Sequence, residues 1–161
     1  MDKVINTVVK YDSTKDVQSH QHLVRVGICA VCDELYNRGY NHDRSKLESP
    51  EKEVFDEFTP KLQELEYGSE EYKKSLESMG EALTHHYESN SHHPEHFENG
   101  IAGMSLVDII EMLCDWKASC ERTSDGNIDK SIDINVKRFG IDEQLASILR
   151  NTLKVLEKGN Y

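Results

Sequence analysis

The sequence predicts an all-α protein, a single-domain helical bundle of about six helices, and three observations carry that prediction. Apolar residues recur at spacings of three and four along most of the chain, which is the helical period. Serines that can cap a helix stand before several of these segments, at Ser49, Ser69 and Ser105. No segment shows the alternation of a half-buried strand. A chain of 161 residues can bury one core, so we expect one domain over residues 16–161 after an N-terminal arm over residues 1–15.

The first predicted helix extends from Asp16 to about Arg38. Its apolar residues form one face, as expected of a helix that packs on a core; they are Val24, Ile28, Val31 and Leu35. His20 continues this face and is expected to point inward, whereas His22 should point to solvent.

A short connector with a helical turn follows at Asn41 to Glu48, and it carries His42, Asp43 and Lys46. The second helix should begin at Pro50, because proline suits the first position of a helix and the carboxylates from Glu51 to Glu53 suit its first turn. It should reach about Thr59, where Pro60 kinks or restarts it. The helix after Ser69 is predicted to continue as far as His86.

A loop from Ser89 to Gly103 precedes a helix from Leu106 to about Glu121. That helix is apolar on nearly every side and should be central. Its acidic stripe consists of Asp108, Glu111 and Asp115. Two further amphipathic helices, at about 129–139 and 142–158, are separated by Gly140. Apolar residues of the last helix can pack internally or against a second copy, which leaves a homodimer open; they are Leu145, Ile148, Leu149, Leu153 and Leu156.

Composition excludes several classes of protein. A net charge of −11 argues against binding to long nucleic acid, because phosphate neutralisation needs a basic surface. No apolar run approaches the ~18 residues that span a bilayer, and no signal peptide opens the chain, so we expect a soluble, cytoplasmic protein. The four cysteines do not form a disulfide framework, and we expect them to be reduced and buried in the core; they are Cys29, Cys32, Cys114 and Cys120.

Five of the eight histidines lie between His85 and His96. Neutral imidazole is the commonest protein ligand of first-row divalent metals, so this density predicts a metal site. The adjacent His42 and Asp43 and the later Asp115 extend the set to one that can bind one or two divalent ions. Asp115 is preferred to Asp108, since a mid-helix carboxylate among apolar residues is costly without a nearby cation.

Four blocks of the sequence resemble the HD superfamily of metal-dependent phosphohydrolases: His20 with Val24 after it, NHDRSK at 41–46, His85-His86, and EMLCDWKA at 111–118. The chain is similar, more closely, to a group of small HD-like proteins of bacteria and their phages, in which HDxSKL, HHPEH and EMLxDWKA blocks recur. That resemblance covers nearly all of residues 20–152. The usual HDxGK motif, however, has glycine where this chain has Ser45.

The resemblance implies an HD-like bundle in which His20, His42, Asp43 and Asp115 bind metal. It implies that the pair His85-His86 corresponds to the doubled histidine of two-metal members. Lys46 would contact substrate phosphate or orient Asp43. The superfamily pattern does not predict His92, His93 and His96, which would either supply extra ligands or reach over the site to bind substrate.

The function expected on these grounds is hydrolysis of a nucleotide or another small phosphate ester or anhydride through a metal-activated water. Asp43, Lys46, His92 and His93 are the candidate catalytic residues. Arg44, Lys46, His96 and Lys117 are the candidate substrate-binding residues. The ion could be Mn, Fe, Co, Ni, Zn or Mg. The alternatives are a di-iron oxygenase of the same superfamily and a non-catalytic nucleotide-binding or sequestering protein.

Overall fold

Seven α-helices make up the part of the chain that the computed structural model describes, residues 11–123 and 126–158. The helices are α1 (Thr14–Asn41), α2 (Glu51–Gln63), α3 (Glu70–Glu77), α4 (Glu81–Ser89), α5 (Leu106–Glu121), α6 (Ile128–Phe139) and α7 (Glu143–Leu156). Three short 3₁₀ turns connect them, at Arg44–Leu47, Pro94–His96 and Gly100–Gly103. No strand occurs within the described ranges, so the all-α prediction is confirmed. Residues 1–10 of the predicted N-terminal arm lie outside these ranges.

Side-chain caps fix where most of these helices begin. Ser69, Asn127 and Asp142 each accept a hydrogen bond from a backbone N–H in the first turn of the helix that follows. Ser105 forms a capping box with Asp108, in which each side chain bonds the other residue's backbone N–H. The predicted start of α5 is therefore confirmed. The carboxylate of Asp108 caps the N-terminal end of this helix.

The predicted helix after Ser69 is two helices, α3 and α4, separated at Gly80. Gly80 has φ +54° and ψ −125°, a backbone conformation that side-chain-bearing residues rarely adopt. Apolar periodicity continues across the break, which is why the sequence suggested one helix. The break sets the direction of α4 independently of α3, and α4 carries His85 and His86.

The core lies between α5, α6 and α7. Its most buried side chains are Met112, Leu113, Trp116, Ile132, Ile141, Ala146, Leu149 and Leu153. Burial of each large apolar side chain contributes about 1.5–3 kcal/mol. α5 is central, as predicted, although Leu106 in its first turn is 74 % exposed. Leu149 and Leu153 of α7 pack internally, whereas Ile148 stays exposed.

Two expectations about burial were wrong. The apolar face of α1 is solvent-exposed in a single copy, with Val24 at 46 %, Ile28 at 59 % and Val31 at 45 % exposure. The reason is that α1 meets α5 through its last turns, where Arg38 pairs with Asp108 and Glu111, and its first turns extend beyond α5. The cysteines are free but not buried: Cys29, Cys32 and Cys114 are exposed and Cys120 is half-buried.

None of the described helices is both long enough and apolar enough to cross a membrane.

Candidate metal centre

The histidines and acidic residues of the candidate site converge where four parts of the chain meet. These are the C-terminal end of α1 with the turn after it, α4, the loop that follows α4, and the first three turns of α5. They contribute, respectively, His42 with Asp43, His86, His92 with His93, and Glu111 with Asp115.

Asp43 is held in an unusual backbone conformation. It follows the C-cap residue His42 and has φ +56°, the one positive φ among the described non-glycine residues. Left-handed backbone at a side-chain-bearing residue costs on the order of 1–3 kcal/mol and clusters at functional sites. The turn directs two consecutive side chains to one place, so that His42 Nε2 lies 3.6 Å from Asp43 Oδ2.

A first group of donors surrounds Asp43. Its Oδ1 lies 3.5 Å from Nε2 of His86 and 3.5 Å from Nε2 of His92. One potential ligand atom from each of Asp43, His86, His92 and His93 lies within 4.8 Å of the others. Asp43 Oδ1 and His92 Nε2 are buried without any hydrogen-bond partner. Buried polar atoms are rarely left in this state, so a cation is the partner whose chemistry fits both.

A second group adjoins the first. His42, His92 and Asp115 also offer donors within 4.8 Å of one another, and His42 Nε2 lies 3.6 Å from Asp115 Oδ1. The two groups share His92. They are therefore neighbouring parts of one centre, which has room for one ion at either group or for two ions side by side.

Two glutamates hold the histidine rings from behind. Glu111 Oε1 accepts a hydrogen bond from His42 Nδ1 at 3.0 Å and lies 3.3 Å from His92 Nδ1. Glu51 Oε2 accepts from His86 Nδ1 at 2.9 Å, and its side chain is fully buried. A histidine whose Nδ1–H is given to a carboxylate presents the lone pair of Nε2 on its other side. Nε2 of His92 and of His86 thus faces the centre as an acceptor, with His86 Nε2 2.9 Å from His93 Nε2. Nε2 of His42 does so once its proton is displaced, and this is the arrangement that metal-ligating histidines adopt.

Sequence reasoning did not assign this role to either glutamate. From the sequence, Glu51 is a charge in the first turn of α2. Its carboxylate bonds Ser45 (3.0 Å), six residues before it, and two histidines that are far along the chain, His85 (2.7 Å) and His86. Glu111 was noted only as a member of the acidic stripe. Its position one helical turn before Asp115 was the available signal, because residues four apart share a helix face.

The charges of the site shift the pKa of its histidines in opposite directions. Asp115 and Glu111 raise the pKa of His42 to about 10. Burial, together with the neighbouring His92 and His86, lowers the pKa of His93 to about 2. His93 is therefore neutral at neutral pH and ready to bind a cation, whereas a cation bound through His42 has to displace a proton.

Two carboxylates of the centre, Asp43 and Glu111, are kept ionised. Burial opposes ionisation of Asp43, but Lys46 and His42 hold the pKa of Asp43 below its ordinary value. Burial likewise opposes ionisation of Glu111, and the hydrogen bonds from His42 and His92 hold its pKa well below the usual range. Ionised carboxylates beside neutral imidazoles make a donor set that suits first-row divalent ions.

The remaining predicted site residues lie at different distances from the centre. Lys46 is part of it, with Nζ 2.6 Å from Asp43 Oδ2 and 4.9 Å from the centroid of the Phe55 ring. His85 bonds Glu51 and belongs to neither donor group. His96 is exposed and donates from Nδ1 to the carbonyl of Tyr87 at 2.9 Å.

Two basic residues predicted to bind substrate also lie away from the donors. Arg44 is exposed beside the turn. Lys117 pairs with Glu121 one turn further along α5. Asp108, the competitor of Asp115, bonds Ser105 and Ser91 and pairs with Arg38, so that its carboxylate is fully used outside the centre.

His20 does not reach the centre within one copy of the chain. It precedes His42 on the same unbroken helix, at about 33 Å along the axis for a rise of 1.5 Å per residue. Its side chain is exposed, contrary to the expected inward orientation. His22, the alternative first ligand, is also exposed and lies 3.4 Å from Arg25. The prediction assumed that the apolar face of α1 packs on the core of its own chain.

A groove of about 360 Å³ opens beside the second donor group. His42, Glu111 and Asp115 form its polar end. Its remaining lining is apolar or small and comes from α1 and α5: Leu35, Gly39, Ile110, Cys114 and Ala118. The groove gives the centre a route to solvent.

The fold and the centre together define a small all-helical protein with a buried histidine–carboxylate site suited to a divalent cation. The chain belongs to the family of unknown function DUF5662, whose sequence model matches residues 9–157. No curated protein and no solved structure matches it.

Proposed function

We propose that this chain is a metal-dependent phosphohydrolase that acts on a nucleotide or another small phosphate ester. The observation that carries the proposal is the convergence of Asp43 Oδ1 with Nε2 of His86 and His92, in which two buried atoms have no partner. Such a set is costly to leave without a cation. The resemblance of NHDRSK and EMLCDWKA to HD phosphohydrolases supports the choice of reaction.

The donor set favours a transition metal. His42, His86, His92 and His93 would supply imidazole nitrogens, and Asp43 and Asp115 would supply oxygens. Imidazole suits manganese, iron, cobalt, nickel and zinc, whereas magnesium prefers oxygen ligands and water. We expect one or two ions, with His92 between the two donor groups.

Each nearby residue has a definite task in hydrolysis. A divalent ion held by Asp43, His86 and His92 would supply a water of lowered pKa and would polarise the phosphoryl oxygen. Lys46 lies 2.6 Å from Asp43 and brings a positive charge to the edge of the centre, where it offsets the charge of a phosphoryl group. Glu51 and Glu111 keep the histidine rings from turning.

The surroundings of the centre favour a small substrate. The net charge of −11 repels a polyanion, since long-range attraction to phosphates requires the opposite sign. The groove beside His42 offers apolar surface from Leu35 and Ile110 against which a base or another flat apolar group can lie. A nucleoside phosphate combines these two features.

The test combines metal analysis with a hydrolysis screen. Protein purified without added metal is analysed by elemental mass spectrometry and assayed with p-nitrophenyl phosphate and a panel of nucleotides. We expect a stoichiometric transition metal and metal-dependent phosphate release in the wild type, and neither in the His42→Ala, Asp43→Ala double variant. His22→Ala, His96→Ala is the matched control, because both of its histidines are exposed outside the centre. Stoichiometric metal without hydrolysis of any phosphate ester would refute the hydrolase assignment while leaving the metal site intact.

A di-iron oxygenase is the second candidate, and the presence of two adjacent donor groups favours it. A pair of irons that accumulates in place of other metals, an EPR signal after anaerobic purification and oxygen consumption with an organic substrate would select it over the hydrolase.

A further inference from the structure

The exposed face of α1 has a regular spacing. Positions that alternate at four and three residues follow one side of the helix from end to end: Val17, Gln21, Val24, Ile28, Val31, Leu35, Arg38 and His42. The first five are exposed, whereas the last three are half-buried beside α5. The four apolar residues in the first two thirds of this series are 45–59 % exposed. A helix that keeps apolar residues at this spacing packs them against another helix, since alternation of three and four is the coiled-coil period.

The series is symmetric about a point between Ile28 and Val31. An identical helix that runs antiparallel across this point brings Ile28 opposite Val31 and Val24 opposite Leu35. Gln21 then faces Arg38. The three inner pairs match apolar with apolar and polar with polar, whereas the outermost pair sets Val17 against His42. The self-complementarity that a two-fold interface requires therefore extends from Gln21 to Arg38.

The surface of α1 also has the shape that such packing needs. Side chains around Val24 line an open groove on the helix; they are His20, Gln21, Val24, Arg25 and Ile28. Four of these have the spacing i, i+3, i+4 and i+7 of the residues that form a coiled-coil hole; they are Gln21, Val24, Arg25 and Ile28. In the symmetric register the side chain that enters this hole is Leu35 of the second copy.

Charge distinguishes the antiparallel from the parallel arrangement. The first part of α1 carries Lys15 and Arg25 against one acidic residue, Asp16, and also His20. The last part carries the acidic Asp33 and Glu34 against one basic residue, Arg38, and leads into the acidic residues of the metal centre. An antiparallel pair places the basic part of each helix beside the acidic part of the other. A parallel pair instead places the two basic parts together and the two acidic parts together.

We propose that α1 forms an antiparallel pair with α1 of a second copy, about a two-fold axis between Ile28 and Val31. The first turns of the second copy's helix then lie along the groove between α1 and α5 and form its missing wall. Gly39 faces that groove, and a Cβ there would meet nothing within 4 Å, so the position has room for a neighbouring helix.

In this register His20 of the second copy lies beside Asn41, next to His42. The pairing does not depend on the proposed function.

The first experiment measures the mass of the full chain by sedimentation equilibrium over a range of concentrations. We expect a dimer for the wild type, and a roughly twofold lower mass for Ile28→Glu, because a charge at the centre of the seam cannot be buried unpaired. Val26→Glu is the matched control: Val26 is 52 % exposed on the opposite side of α1, and this variant should stay dimeric. Circular dichroism checks that both variants keep their helices. A monomeric wild type at every concentration, or dimerisation that Ile28→Glu leaves unchanged, would overturn the proposal.

The second experiment tests direction and register. In a variant with Cys29, Cys114 and Cys120 replaced by serine, Cys32 is the sole cysteine, and Arg25→Cys is then added. The antiparallel register places position 25 beside Cys32 of the second copy, so a short bismaleimide should link the two copies. Without Arg25→Cys no link should form, because the two Cys32 residues are offset by about 10 Å along the axis. Cross-linking through Cys32 alone would indicate a parallel pair, and no link with Arg25→Cys would exclude the register; either result overturns the proposal.

Discussion

Asp43 Oδ1 and His92 Nε2 lie 3.5 Å apart in the interior, and neither has a hydrogen-bond partner. An aspartate oxygen and an imidazole nitrogen could bond directly if the nitrogen carried a proton. The proton of His92 is instead best placed on Nδ1, which faces Glu111 at 3.3 Å. Two lone pairs therefore face each other at a distance that a cation between them would relieve.

Glu111 should control both the metal affinity and the charge of His42. Glu111→Gln keeps the shape of the side chain but removes the charge that orients His42 and His92. We expect metal affinity to fall about 10–100-fold, as is typical when an outer carboxylate partner is lost. The pKa of His42 should also fall from about 10 toward its ordinary value. Metal titration and NMR titration of the imidazole measure the two effects.

The control for that experiment is Glu121→Gln, on the same helix and paired with Lys117 at the surface. Glu121→Gln should change neither the metal affinity nor the pKa of His42. Equal effects of the two variants would mean that Glu111 acts only through the overall charge of the protein.

Glu51 should contribute to stability as well as to metal binding. It is fully buried and accepts hydrogen bonds from Ser45, His85 and His86. Glu51→Ala leaves the buried Nδ1–H of His86 and the half-buried hydroxyl of Ser45 without an acceptor, whereas water can reach His85. We expect the free energy of unfolding to fall by about 1–3 kcal/mol for each buried donor that is orphaned. Urea denaturation of the metal-free protein measures this. Glu53→Ala, exposed in the same first turn of α2, should cost less than about 1 kcal/mol; a loss equal to that of Glu51→Ala would contradict the assigned role.

Metal affinity should rise with pH above neutrality. In the metal-free protein His42 has a pKa of about 10, so it is protonated at pH 7 and an ion that binds there displaces the proton. Affinity should therefore increase up to about tenfold per pH unit from pH 7 toward pH 10, and should level off above that value. Calorimetry in two buffers of different ionisation enthalpy, at pH 7.5, should report release of about one proton per ion. An affinity independent of pH across this range would show that His42 is not a ligand.

Gly80 and Gly27 should respond to alanine in opposite directions. Gly80 has φ +54° and no atom within 4 Å of a Cβ, so Gly80→Ala meets no clash but strains the backbone by about 1–3 kcal/mol. Gly27 lies inside α1 with equal space around it, and alanine there should raise helix stability by up to about 1 kcal/mol. Thermal unfolding of both variants tests this. A neutral Gly80→Ala would mean that α3 and α4 can join without cost.

The sequence predicted the elements that depend on local signals. The cap at Ser105 and the apolar run after it predicted the position of α5. The pair His42-Asp43, together with Asp115, predicted three of the residues whose atoms converge in the metal centre. Contacts between distant positions were not predictable in the same way. Glu51 and its histidine partners are more than 30 residues apart along the chain, and no periodicity links them.

The exposure of α1 shows a second limit on what the sequence can predict. Its apolar face was recognised, but spacing alone does not reveal whether such a face meets its own chain or another. Residues on α1 that this spacing predicts to point inward, among them His20, Val24 and Ile28, are exposed for this reason. The break at Gly80 was missed because apolar spacing continues across it, while the decisive feature was a backbone angle.

The metal content of Asp43→Asn, measured beside that of the wild type, tests directly whether the histidine–carboxylate centre binds a cation. Asparagine keeps the size of Asp43 and can occupy the same left-handed backbone, but it lacks the negative charge that a bound cation needs. Asp56→Asn is the control, because Asp56 pairs with Lys52 at the surface of α2. We expect about one or two equivalents of a transition metal in the wild type and in Asp56→Asn, and a metal affinity reduced more than about 100-fold in Asp43→Asn. Equal metal content in all three proteins, or no uptake by the wild type on titration, would contradict it.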